Sequence, residues 1–226
     1  MKKLLFAYSF VLVSFFAVGQ SFEGVLKYDL KYDGEMVQQF ASMMPNSYTL
    51  KVKGEKARFG IQGGMVASFM GDFITDGSGV SYMLMPAQKT AYKLVESAAD
   101  VAKDELTYKV LSTGITETVK GYKCTKYKIT TKGENGEDLT SYLWASKDLS
   151  IKLPQSSNKQ NALRAYKGVE GFPVKIEQNV SQMGVSFSMT IVLSELKEAT
   201  IADNEFKVPA EFKVQEGFPS LGGLGK

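Results

Sequence analysis

The stretch VSFSMTIVLS, residues 185–194, puts Val185, Phe187, Met189, Ile191 and Leu193 at every second position. Ser186, Ser188, Thr190 and Ser194 stand between them, and only Val192 is out of step. Side chains of an extended strand point alternately to opposite faces, so this pattern describes a strand with one dry face and one wet face. Leu26-Lys27-Tyr28-Asp29-Leu30-Lys31-Tyr32 repeats the pattern and ends at Asp33-Gly34. Tyr48, Leu50 and Val52, then Gly54, then Ala57, Phe59 and Ile61 read as a hairpin. Further strands are expected at about 66–75, 79–85, 89–95, 106–119, 121–131, 139–145 and 173–181. Asp76-Gly77, Pro86-Ala87, Asn135-Gly136 and Met183-Gly184 supply turn chemistry between them.

Connections this short join antiparallel neighbours, because parallel pairs need long crossovers. Three helical segments are expected. In 35–44, Val37, Phe40 and Met44 share a face; Ser97 to Asp104 is rich in alanine and charge; Ser157 to Lys167 starts at a serine cap and stops at Gly168. The expected fold is therefore mainly β (α+β), a curved antiparallel half-barrel of roughly ten strands with a few short helices covering the concave face. A bent sheet of this kind has more dry inner surface than its own side chains fill. What the helices leave uncovered is a pocket.

The chain ends read differently from its middle. Lys2 and Lys3, the apolar run Leu4 to Phe16 and the small residues Ala17-Val18-Gly19 form an export signal over 1–19. That run is shorter than the ~20 residues a spanning helix requires, and no later stretch is long and uncharged enough to span. Residues 20–216 are expected to form one domain, and 217–226 a flexible glycine-rich tail. A lipid anchor at the new N-terminus would need a cysteine there, and the one cysteine is Cys124.

Without the leader, 25 basic residues face 24 acidic ones, and the only arginines are Arg58 and Arg164. Such a balance exerts little pull on nucleic acid. The chain has no histidine, which removes Ser-His-Asp and Cys-His chemistry and ordinary zinc sites. Asp72, Asp76, Glu134, Glu137 and Asp138 lie in or near turns, where solvated acids belong. Gly222-Gly223-Leu224-Gly225-Lys226 has no helix after it, so it is not a phosphate loop. No catalytic group, metal or cofactor is expected, and a small buried role suits Cys124.

Methionine marks the candidate site. Met43, Met44, Met65, Met70, Met83 and Met85 crowd the first half beside Phe40, Phe69 and Phe73. An unbranched, polarizable side chain adapts to irregular apolar guests, and equally fills an ordinary core. The expected cavity lining is Phe40, Met43, Met44, Met65, Phe69, Met70, Phe73 and Trp144. The glycines of 63–71 suit a segment that moves, or one that bulges.

Several short motifs follow one another in order. They are Phe22-Glu23-Gly24, Lys53-Gly54-Glu55-Lys56-Ala57-Arg58, Lys120-Gly121-Tyr122-Lys123-Cys124, Tyr142-Leu143-Trp144-Ala145, Gly171-Phe172-Pro173-Val174-Lys175 and Phe206-Lys207-Val208-Pro209. With these the chain resembles a domain-of-unknown-function family of secreted Gram-negative envelope proteins with a fold like the LolA/LolB lipoprotein carriers. The resemblance implies a helix-plugged half-barrel that holds acyl chains, and it implies Arg58 as the counterpart of a gating arginine. The expected function is non-enzymatic: an exported protein of the periplasm or outer envelope that binds lipid or an acylated protein. The alternative is an envelope interaction module with a filled core, presenting its lysine-rich outer strands to a protein partner.

Overall fold

The structure is a computed structural model that describes residues 22–34, 37–40, 42–69, 71–78, 80–94, 108–132, 136–151, 167–182 and 185–217. Twelve strands form one sheet. They are β1 (Glu23–Asp33), β2 (Ser47–Lys53), β3 (Lys56–Gln62), β4 (Phe73–Asp76), β5 (Ser81–Met85), β6 (Thr90–Leu94), β7 (Tyr108–Val119), β8 (Tyr122–Lys132), β9 (Asp138–Ser146), β10 (Phe172–Gln182), β11 (Val185–Glu198) and β12 (Lys213–Glu216). Their order in space is β12-β6-β5-β4-β3-β2-β1-β11-β10-β9-β8-β7. Two meanders, β1 to β6 and β7 to β11, thus meet where β1 pairs with β11. All pairs are antiparallel except β12 on β6. The sheet is curved and not closed.

The connectivity favours that curvature. The chain runs from β6 near one edge to β7 at the other, with Leu94 and Tyr108 as the flanking residues. In a flat sheet the ten intervening strand spacings would separate these edges by about 48 Å. Fourteen extended residue steps reach about the same distance, and a curled sheet shortens a span that the chain could only just make.

Register assigns each side chain to a face. Gly24, Leu26 and Tyr28 of β1 lie opposite Val52, Leu50 and Tyr48 of β2 on one side, and Tyr28, Leu30 and Tyr32 lie opposite Leu193, Ile191 and Met189 of β11 on the other. With Val174, Ile176, Leu143, Tyr127 and Ile129 they form the principal core on the inner face. The Tyr28 hydroxyl reaches across β11 to donate to the Pro173 carbonyl at 2.9 Å. Burial holds the Tyr28 phenol well above its ordinary pKa, so it stays a neutral donor.

The alternation in 185–194 ends for a visible reason. Between Lys27 and Tyr28 the register slips, with Lys27 opposite Glu195 and Tyr28 opposite Leu193, so Ser194 is a bulged residue. Its hydroxyl bonds the Lys27 carbonyl at 3.2 Å and the Asp29 carboxylate at 2.9 Å. The bulge returns Leu196 to the inner face. Cys124 is buried on the face opposite Tyr127 and Ile129, so both sides of β8 are dry at that end.

Three expectations change. Twelve strands replace roughly ten. The strand expected over 66–75 begins instead as helix α2 (Gly64–Phe69), and only β4 is extended. Gly63 and Gly64 have φ of 76° and 66°, which breaks the strand before it starts. Of the helix expected over 35–44, the described residues show α1 (Val37–Phe40), while 42–44 form a turn and bend. Residues 97–104 and 157–166 lie outside the described residues, and Lys167 is in a turn.

Candidate ligand-binding surface

At one end of the β1–β2–β3 meander the inner face carries a row of aromatic side chains. Phe187 of β11 meets Tyr32 of β1 edge-on, with centroids 6.0 Å apart. Tyr48 of β2 lies 4.9 Å from Phe59 of β3, and Phe59 lies 6.4 Å from Phe73 of β4. Register then sets Met83 of β5 beside Phe73. All five aromatics are half-buried, whereas Leu26, Leu50 and Ile191 deeper on the same face are fully buried. The row is therefore dry sheet surface that the described residues do not finish covering.

Its electrostatics are uniform. Every inner-face position of β1 to β5, and of β11 from Phe187 to Leu193, carries an uncharged side chain. Burial, then the neighbouring Tyr48, pushes the Tyr32 phenol up, and burial raises Tyr48. Both remain neutral at any physiological pH. Such a surface offers dispersion contacts and a few phenol donors, and it repels ions by desolvation.

The rim beside this row is tied down by backbone contacts. The Tyr32 hydroxyl donates to the Pro45 carbonyl at 2.8 Å, and the Asn46 amide to the Gln62 carbonyl at 2.9 Å. The Met43 amide bonds the Phe40 carbonyl at 2.8 Å, and the Met65 amide bonds the Ser42 carbonyl at 3.2 Å. A Cβ at Gly64 would collide with the Met44 carbonyl, and one at Gly63 with the Asn46 side chain. These glycines serve close packing of two turns.

The rim brings together Phe40, Met43 and Met65, which are 39%, 41% and 52% exposed. Met44 is half-buried next to them, and Phe73 belongs to the aromatic row. Phe69 closes α2, with its side chain outside the described residues, as is all of Met70.

Trp144 and Arg58 do not join this group. Register places Trp144 opposite Lys126 and Lys175, on the outer face. It is buried there beneath the two ammonium groups, 4.6 Å and 4.3 Å from its ring, and its indole N–H donates to Glu117. Arg58 is also on the outer face, level with Ile74. Its Nε bonds Asp72 at 2.6 Å and its terminal nitrogen bonds Glu205 at 3.1 Å. Gly60 leaves the space that the Asp72 carboxylate occupies.

Tyr32, Tyr48, Phe59 and Phe187 are the residues that methionine clustering passed over. The usable signal was the alternation itself, since all four fall on dry positions of strands already recognised. Cys124 is buried, and burial foremost pushes its thiol up, away from thiolate reactivity. Among the described residues no cluster of metal-ligating side chains occurs.

A family described as a domain of unknown function, DUF4412, matches residues 22–212. No curated protein matches the chain. Among solved structures, PNGF-II superposes with a TM-score of 0.51 at 14% identity, covering 87% of this chain and 31% of that one. The chain thus spans about a third of PNGF-II, and the likeness is one of fold. LprF from Mycobacterium bovis gives a TM-score of 0.35 at 12% identity, covering 84% of this chain and 90% of that one. The LolA superfamily protein NE2245 from Nitrosomonas europaea gives 0.35 at 14% identity, covering 83% and 90%.

Proposed function

This chain belongs to the DUF4412 family, a domain of unknown function, and from that premise we propose that it is a non-catalytic binding protein for an acyl chain. The ligand lies along the row Phe187–Tyr32–Tyr48–Phe59–Phe73 and enters past Phe40, Met43 and Met65. The observation that carries this reading is the half-buried, uncharged inner surface beside a fully buried core. Apolar area left at an opening is stabilised by a guest at roughly 25 cal/mol per Å² covered. Methionines at the rim suit chains of differing length and unsaturation. The leader expected over 1–19 places the protein in the periplasm or outer envelope, where acyl chains of lipids and acylated proteins are at hand.

A second reading, an interaction module with a filled core, draws on the fully buried residues of the principal core. One experiment separates the two. The protein is purified from the cell envelope without added lipid, its bound lipids are analysed by native mass spectrometry, and a fluorescent fatty-acid probe is titrated in. Co-purified acyl species and saturable probe binding are expected. A folded protein that carries no lipid and takes up no probe overturns the carrier reading.

A further inference from the structure

Among the described residues, five hydroxyl groups lie on the inner face of β1 to β5, those of Tyr28, Tyr32, Tyr48, Thr75 and Ser81. Four of them are bonded. Tyr28 donates to the Pro173 carbonyl at 2.9 Å, Tyr32 donates to the Pro45 carbonyl at 2.8 Å, and Thr75 and Ser81 share a bond of 3.0 Å. The Tyr48 hydroxyl has no such partner among the described residues. Its ring lies 4.9 Å from Phe59, and Ile61 stands opposite it on β3. Burial raises the Tyr48 phenol, so water solvates it poorly and the proton stays on. An O–H that neither the protein nor bulk water fully satisfies costs stability until an acceptor arrives.

The surroundings select the acceptor. Tyr48 is the middle residue of the row from Phe187 to Phe73, and no inner-face position of β1 to β5 carries a charge. An ionised carboxylate brought there would lose its water and meet no cation, which drives it back to the rim. The carbonyl of an ester or amide is uncharged, accepts a hydrogen bond and has apolar chain beside it. It satisfies the phenol without desolvating an ion. Tyr32 has already given its hydrogen to Pro45, so the row offers a single donor. We propose that Tyr48 donates to the carbonyl of an esterified or amidated acyl group, and so selects acyl esters and amides over free fatty acids. This rests on the acyl-binding reading above and makes Tyr48 the residue that sets ligand class. A fatty-acid probe still binds through its chain, with its carboxylate left at the rim. The same carbonyl occurs in glycerolipids and in acylated proteins.

Two pyrene-tagged chains of equal length, one ending in a methyl ester and one in a plain alkyl group, are titrated into wild type, Tyr48→Phe and Tyr32→Phe. Tyr48→Phe is expected to lower the ratio of ester to alkyl affinity about three- to tenfold, the worth of one hydrogen bond. Tyr32→Phe, which frees the Pro45 carbonyl, weakens both chains alike. The melting temperature gives a second readout. Tyr48→Phe removes a hydroxyl that has no partner without ligand, so it keeps or raises the melting temperature, whereas Tyr32→Phe lowers it. A pyrene-tagged diacylglycerol and a peptide carrying the chain as an N-acyl amide stand for the lipid and protein sources. The one that wild type binds more tightly is the source, and its affinity falls by the same factor in Tyr48→Phe. Uptake of both simple chains with a ratio that Tyr48→Phe leaves unchanged overturns this inference and leaves the acyl-binding reading standing. No uptake of any chain by the folded protein overturns both.

Discussion

Phe59 lies between Tyr48 on one side and Phe73 on the other, on a strand whose opposite face carries Arg58 and Gly60. A charge introduced there would enter the uncharged row, while the principal core below stays intact. Phe59→Asp is expected to weaken fatty-acid probe binding by about tenfold or more, with the fold retained by circular dichroism. Arg58→Ala, on the other face, should leave probe binding unchanged and lower the melting temperature. The aromatic row was legible in the sequence as alternation, position by position. Its function was less so, because a dry strand position reads the same whether a neighbour or a guest covers it. Trp144 shows the opposite difficulty. Its size marks it for burial on any face, and only register reveals that lysine side chains, rather than the inner core, bury it.

Among the elements, the C-terminal segment 199–212 was least visible in advance. It crosses the outer face of β1 to β6, burying Ile201 and Phe206 and packing Val208 and Phe212 on Ile74, Leu84 and Ala91. It has no period of its own, since its apolar residues follow the shape of a surface built by strands over a hundred residues earlier. Charge pins it: Lys51 to Glu205 at 2.8 Å, Lys56 to Asp203 at 3.0 Å, and the Ile201 amide to Glu23 at 2.6 Å. The bond from Lys56 foremost holds the Asp203 carboxyl below its ordinary 3.8, and the bond from Lys51 foremost holds Glu205 below 4.5. Folded values below the unfolded ones mean stabilisation that is fully present above about pH 4.5 and lost as pH falls through the folded values. Hydrogen exchange should therefore show the segment loosening below about pH 4 while the β1·β11 pairing stays protected, with high salt weakening the effect. Equal loosening of both at that pH would argue against it.

For the whole molecule, alternation and turn chemistry indicated a mainly β chain, but not which strands adjoin. Hairpin neighbours follow from short connections; the join of β1 to β11 does not, because nothing local in residues 23–33 names a partner beginning at residue 185. This long-range pair is expected to form last. In pulse-labelled refolding, the amides of the β2–β3 and β7–β8 hairpins should gain protection before those of β1 facing β11. Protection of all these strands in one step would count against that order.

The same join sets a burden on synthesis. The first strand to leave the ribosome has a neighbour that appears about 150 residues later, a wait of roughly 10–30 s at ordinary elongation rates. Throughout that interval Leu26, Leu30 and a line of open amides are offered to any passing chain, so a holding chaperone is needed most for the half of the protein that is made first.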